Sequence, residues 1–193
     1  LSWRDNTNGA SRPSMMWAPA DGSGTPQLVL TGGGGVAWLP SGRGGFTITT
    51  NATTGANIDR FSVDALPAKP VPFVNTPATE TAAKVSPDGA WLAFTSNQSG
   101  RAEVYVCSTS DATNLHQVST HGGDEAVWAP NGRELFYRDG HKFIAAQVET
   151  KSGFVLVRRD TVMTDIYQVG NNYAAYDVMP DGQSFIMVRP IGA

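Results

Sequence analysis

The stretch Val85-Ser86-Pro87-Asp88-Gly89-Ala90-Trp91-Leu92-Ala93-Phe94 joins a Pro-Asp-Gly corner to an apolar run. Pro presets φ at the first corner of a β-turn. The short Asp side chain bonds the nearby backbone, and Gly supplies a positive φ that other residues resist. Apolar segments at 82–85 and 91–95 flank the corner, so the phrase reads as a hairpin between two strands. It returns as Trp38-Leu39-Pro40-Ser41-Gly42, Trp128-Ala129-Pro130-Asn131-Gly132 and Val178-Met179-Pro180-Asp181-Gly182. The four prolines are separated by 47, 43 and 50 residues. That period suits a four-stranded repeat of roughly 40–50 residues.

Each unit then follows one plan. A Gly-containing turn such as Ser96-Asn97-Gln98-Ser99-Gly100 leads to a third strand, at 103–107 or 143–148, and a polar stretch leads to a fourth, at 115–118. Large and small residues alternate along these strands, as in sheets stacked face to face. No helical periodicity runs beyond about ten residues. The expectation is an all-β chain, a single β-propeller of about four blades, each a four-stranded antiparallel sheet. Blades span about 36–75, 82–120 and 125–165, with partial blades at 1–31 and 173–190. The partial units complement each other, so either strands from both termini close the ring or a second copy completes it.

Composition narrows the function. The chain has 193 residues, 14 Lys plus Arg, 17 Asp plus Glu and a net charge of -3. With 16% charged residues and no basic stripe, nucleic acid is not an expected partner. Cys107 is the one cysteine, which excludes an internal disulfide and reads as a small buried apolar residue. No apolar run approaches the roughly 18 residues of a membrane span, and no signal peptide is visible. The chain opens at Leu1 in what reads as mid-fold, so a processed product or a fragment of a longer protein is expected.

From Val85 to Pro190 the chain resembles the TolB-like propeller repeats found at the C-terminus of bacterial receptor-like serine/threonine protein kinases. The matching phrases include Ser99-Gly100-Arg101-Ala102-Glu103-Val104-Tyr105-Val106 and Gly132-Arg133-Glu134-Leu135-Phe136-Tyr137-Arg138. Tyr176-Asp177-Val178-Met179-Pro180-Asp181-Gly182-Gln183-Ser184-Phe185-Ile186-Met187 completes them. The resemblance implies the fold, a sensor, scaffold or binding role, and an extracytoplasmic or periplasmic location if the chain derives from such a kinase. The chain carries none of the kinase motifs itself, so a kinase domain would precede it.

Propeller ligands sit over the central channel. The richest loop facing it is Thr120-His121-Gly122-Gly123-Asp124-Glu125. His121, Asp124 and Glu125 are the candidates for acid–base chemistry. Three polar residues in five positions also make an ordinary solvated turn between blades. Aligned on the repeat prolines, Glu80 and Tyr173 correspond to Gly123. Glu80, Asp124, Tyr173 and Asp177 are therefore expected to border one channel mouth as ligand-binding residues. Too few ligands converge for a metal site, and no cofactor is expected. His116 reads as peripheral and His141 as solvated. Trp17, Trp38, Trp91 and Trp128 are expected to pack between blades, and Trp3 to lie near an open end.

Two functions follow from this reading. One is a non-catalytic module binding a protein or small-molecule ligand at the channel face, with a homodimer among its forms and no membrane insertion in this segment. The other is a small hydrolase with a metal or acid–base site at the channel mouth, drawing on His121, Asp124, Glu125 and Glu80.

Overall fold

The computed structural model describes residues 2–5, 14–53, 55–170 and 173–189. Leu1 and Pro190, the outer bounds of the two partial units, and the side chain of Trp3 lie outside the described residues. None of the described residues is helical, and among them no helix is long and apolar enough to cross a membrane.

The strands of the described residues form five antiparallel sheets. The first holds β1 (Ser2–Asp5), β2 (Ser14–Trp17) and β3 (Gln27–Thr31). Three four-stranded sheets follow. The first of them comprises β4 (Val36–Trp38), β5 (Gly44–Asn51), β6 (Gly55–Ser62) and β7 (Val71–Val74). The second comprises β8 (Glu80–Val85), β9 (Trp91–Ser96), β10 (Glu103–Ser108) and β11 (His116–Gln117). The third comprises β12 (Asp124–Trp128), β13 (Glu134–Asp139), β14 (Lys142–Glu149) and β15 (Val155–Thr164). The last sheet pairs β16 (Tyr176–Val178) with β17 (Phe185–Met187). Among the described residues β16–β17 and β1–β3 belong to separate sheets.

The repeated phrase forms the expected corner four times. Gly42, Gly89, Gly132 and Gly182 donate to the carbonyls of Leu39, Ser86, Ala129 and Met179 at 2.8–2.9 Å. The residue after each Pro caps the corner. Ser41 Oγ, Asp88 Oδ1, Asn131 Oδ1 and Asp181 Oδ1 accept from the N–H groups of Arg43, Ala90, Arg133 and Gln183. The corners also stack from sheet to sheet. A Cβ placed on Gly89 would lie 3.1 Å from Pro40 Cδ. One on Gly132 would lie 3.9 Å from Pro87 Cδ, and one on Gly182 3.9 Å from Pro130 Cδ.

Between consecutive sheets lie the hydrophobic clusters. Phe46, Ile58, Leu92 and Phe94 fill the first complete interface, and Val104, Val106, Leu135 and Ile144 the second. Phe136, Phe143, Tyr176 and Phe185 fill the third. Trp128 is buried and donates its indole N–H to Lys84 O across the interface, 3.2 Å away. Trp38 packs edge-on to Phe61, with centroids 5.3 Å apart. Trp17 departs from expectation: it is 38% exposed, because it ends a short strand of the three-stranded sheet. His116 departs in the other direction. Its ring is half-buried between Trp91 and Phe154, at centroid distances of 6.1 and 5.2 Å. Cys107 is fully buried, and burial pushes its thiol up to about 12.

Replacing a corner glycine with alanine forces a β-carbon into left-handed backbone, costing about 1–2 kcal/mol. Gly132→Ala and Gly182→Ala should lose about that much in urea unfolding. Gly89→Ala should lose more, because its β-carbon also crowds Pro40. Equal losses at all three positions would show that the corner-to-corner contact carries no weight.

Candidate functional site

The first strands of successive sheets are neighbours: β4 lies against β8, β8 against β12 and β12 against β16. They make the inner wall of the arc, and Glu80 and Asp124 open two of them. Asp124 Oδ1 accepts from Thr95 Oγ1 of the preceding sheet at 2.7 Å and from Glu125 N at 2.7 Å. Thr95 pairs with Thr81, the residue after Glu80. Glu80 and Asp124 thus stand at the same end of adjacent sheets. Tyr173, just before β16, is 58% exposed, and Asp177 on β16 is exposed with Oδ1 accepting from Val178 N.

The carboxyls at this end do structural work. Glu80 is fully buried. Its Oε1 accepts from Thr76 Oγ1 at 2.5 Å and Ser96 Oγ at 3.4 Å, while Oε2 has no hydrogen-bond partner among the described residues. Burial pushes its pKa up, and the two hydroxyls only partly offset that.

Glu125 sits in a bulge of β12, with φ +55°. Ala82 holds φ +51° in the matching bulge of β8, and each lies five residues before its repeat proline. The bulge takes Glu125 off the ladder and turns its buried carboxyl to the following linker. Oε1 accepts from Gly170 N at 2.5 Å and Oε2 from Ala175 N at 2.8 Å. Arg138 Nε lies 3.1 Å from Oε2, and Arg138 Nη1 donates to Asp165 Oδ2 at 2.5 Å. All three side chains are buried, and the guanidinium also lies 5.3 Å from the centroid of the Tyr176 ring. Burial pushes the Glu125 pKa up. The Ala175 and Gly170 N–H groups and then Arg138 pull it back.

A third buried carboxyl, Glu103, escaped the sequence reading. It accepts from Arg101 Nε at 2.8 Å, from Gly122 N at 3.0 Å and from Ser119 Oγ. Thr76 and Ser119 both stand eleven residues before a repeat proline, so the same linker hydroxyl meets a buried carboxyl at two successive interfaces. The available signal was a charged residue opening an otherwise apolar strand.

His121, Asp124 and Glu125 bond to different partners: His121 Nδ1 lies beside Thr120 Oγ1, Asp124 accepts from Thr95, and Glu125 accepts from the linker N–H groups of Gly170 and Ala175. The exposed His121 ring turns to a cleft beside β13–β15. Among the described residues no three His, Cys, Asp or Glu side chains come together as a metal would require.

Inner first strands with sheets stacked outward in series define a β-propeller. More particularly, the fold is that of the TolB-like propellers. The chain is similar to TolB from Acinetobacter baumannii, with a TM-score of 0.70 at 14% identity, covering 99% of this chain and 46% of that one. It is also similar to a periplasmic gluconolactonase from Pseudomonas aeruginosa, with a TM-score of 0.60 at 14% identity, covering 90% and 56%. A third likeness is to a chain of a nidogen/laminin complex, with a TM-score of 0.53 at 15% identity, covering 86% and 60%. The chain therefore spans about half the length of these structures. No family model and no curated protein sequence matches it.

The two inner carboxyls should respond differently to amidation. Glu80 titrates higher folded than unfolded, so the folded state holds the extra proton just above the ordinary carboxylate range. Its contribution is full below that range and is lost as pH rises through the raised value. Glu80→Gln should flatten the fall of the urea midpoint as pH rises above the ordinary carboxylate range. Glu125→Gln places an amide NH2 against a backbone N–H and strips Arg138 of a counter-charge. It should cost about 3 kcal/mol. Glu80→Gln proving the more damaging of the two at about pH 8 would contradict these roles.

Proposed function

We propose that the protein is a non-catalytic propeller module for ligand or protein binding, a sensor or scaffold within a larger bacterial protein. The observation that carries this reading is the use of Glu80 and Glu125 as buried linker anchors. A general acid or base must reach its substrate's proton. A carboxyl that is fully buried and bonded to its own linker does not. Asp124, Tyr173 and Asp177 remain to recognise a protein or small-molecule ligand at the channel face. The nidogen/laminin complex supports protein binding on this architecture.

The gluconolactonase likeness favours the second reading, a hydrolase with a metal or acid–base site at the channel mouth. Hydrolysis of gluconolactone, followed with magnesium, calcium or zinc added, separates the two. The expected rate is that of buffer and metal alone, unchanged in Asp124→Asn. A metal-dependent rate that Asp124→Asn abolishes would overturn the binding-module reading.

The proposal includes a homodimer through the β16–β17 end, where Ile166, Ile186 and Val188 are exposed. Light scattering after size exclusion should then give twice the chain mass. A monomer mass removes the dimer and leaves the binding role standing.

A further inference from the structure

Away from the inner strands, a cleft of about 180 Å³ opens between the Thr120–His121 linker and the outer half of the β12–β15 sheet. Its floor is one face of that sheet. Tyr137, Ile144 and Thr161 stand in register across β13, β14 and β15, and Asp139 pairs with Lys142 one step along the same face. The lining is rich in hydrogen-bond donors.

Arg159 fixes the linker over this floor. Its Nη1 donates to Thr120 Oγ1 at 2.8 Å and to Val118 O at 3.3 Å. Thr120 Oγ1 in turn lies 3.1 Å from His121 Nδ1. The Thr120 hydroxyl accepts from the guanidinium and is free either to give its own proton to Nδ1 or to accept a second one from it; the oxyanion site uses the tautomer in which it gives the proton. That leaves the imidazole with its N–H on Nε2. Lys142 is exposed and makes no ion pair among the described residues. Of the two carboxylates at the cleft, Asp160 is already paired with Arg158, 3.2 Å away on its own strand. Asp139, which makes no ion pair among the described residues, opposes Lys142, Arg159 and the imidazole N–H together with Asp160, and Glu103 of the neighbouring sheet acts on Tyr137 from beside the cleft.

We propose that this cleft binds a small oxyanion, a carboxylate or a phosphate, held between Lys142, Arg159 and His121 Nε2 above the Tyr137 ring. Charge-assisted donors converging on a concave site select acceptor-only groups of that size. The Arg159–Thr120–His121 chain holds two of the three donors in place before the ligand arrives, so little ordering is left to binding. The site is separate from the channel face and stands or falls independently of the function proposed above.

Nitrogen-15 NMR of the histidine rings in the full chain tests it. Sodium phosphate and sodium acetate are titrated against sodium chloride at matched ionic strength. His121 Nε2 should move saturably with phosphate, acetate or both, while His116 and His141 stay still. Movement with phosphate alone assigns the phosphate class, and movement with acetate assigns the carboxylate class. Lys142→Gln, an exposed change that leaves the fold intact, should weaken the response about tenfold. Movement as large with chloride, no saturable movement with either anion, or unchanged affinity in Lys142→Gln would each overturn the proposal.

Discussion

A linker that leaves the outer strand of one sheet for the inner strand of the next must cross between two packed sheets. Its backbone N–H groups and hydroxyls need partners there, because an unpaired buried donor costs about 1–3 kcal/mol. This chain meets that demand with buried carboxyls. Glu80 takes the Thr76 hydroxyl of one linker, Glu103 takes Ser119 and Gly122 of the next, and Glu125 takes Gly170 and Ala175 of the last. Charged groups are rarely fully buried without such partners. Glu103 and Glu125 each add a guanidinium, from Arg101 and Arg138. The sheets themselves are ordinary hydrophobic stacks, and it is the anchored linkers that set one sheet against the next.

The Pro-Asx-Gly corner serves two ends at once. Within a sheet it turns the first strand into the second, closed by the Gly N–H and capped by the Asx oxygen. Between sheets the proline ring of one corner lies over the glycine of the next, so a side chain at the glycine would meet it. The spacing of the phrase along the chain therefore measures both the length of a repeat and the rise from one sheet to the next. That double use explains why four copies of a five-residue phrase carry so much of the architecture.

The fold was legible in those corners because their chemistry is local: Pro, Asx and Gly act on their own backbone. Burial is not local, and the sequence reading went astray where burial decides. Trp17 looked like a core residue but ends a short strand at a thinly covered sheet, while His116 looked peripheral yet lies between Trp91 and Phe154. The complementary partial units left closure by terminal strands and completion by a second copy both open, because strand counting cannot tell which edges pair. Glu80 and Glu125 drew attention as acids near a channel. Nothing in the residue order shows that their carboxyls turn back into the linkers, or that Arg138 and Asp165, 27 residues apart, meet beside Glu125.

The interfaces also show why acids near the repeat proline do not by themselves mark a reactive centre. Glu80 stands seven residues before Pro87, and its counterpart before Pro130 is Gly123. A side chain at Gly123 would overlap Ser119 Oγ, which already holds Glu103. The slot beside the linker hydroxyl accepts one carboxyl, supplied by the first strand at one interface and by the third strand at the next. Whichever strand supplies it, the other position has to be small or differently used. An acid there answers a packing and hydrogen-bonding demand met at two successive interfaces. Tyr173 and Asp177 stand outside that demand: both are exposed, and neither bonds a linker through a buried carboxyl.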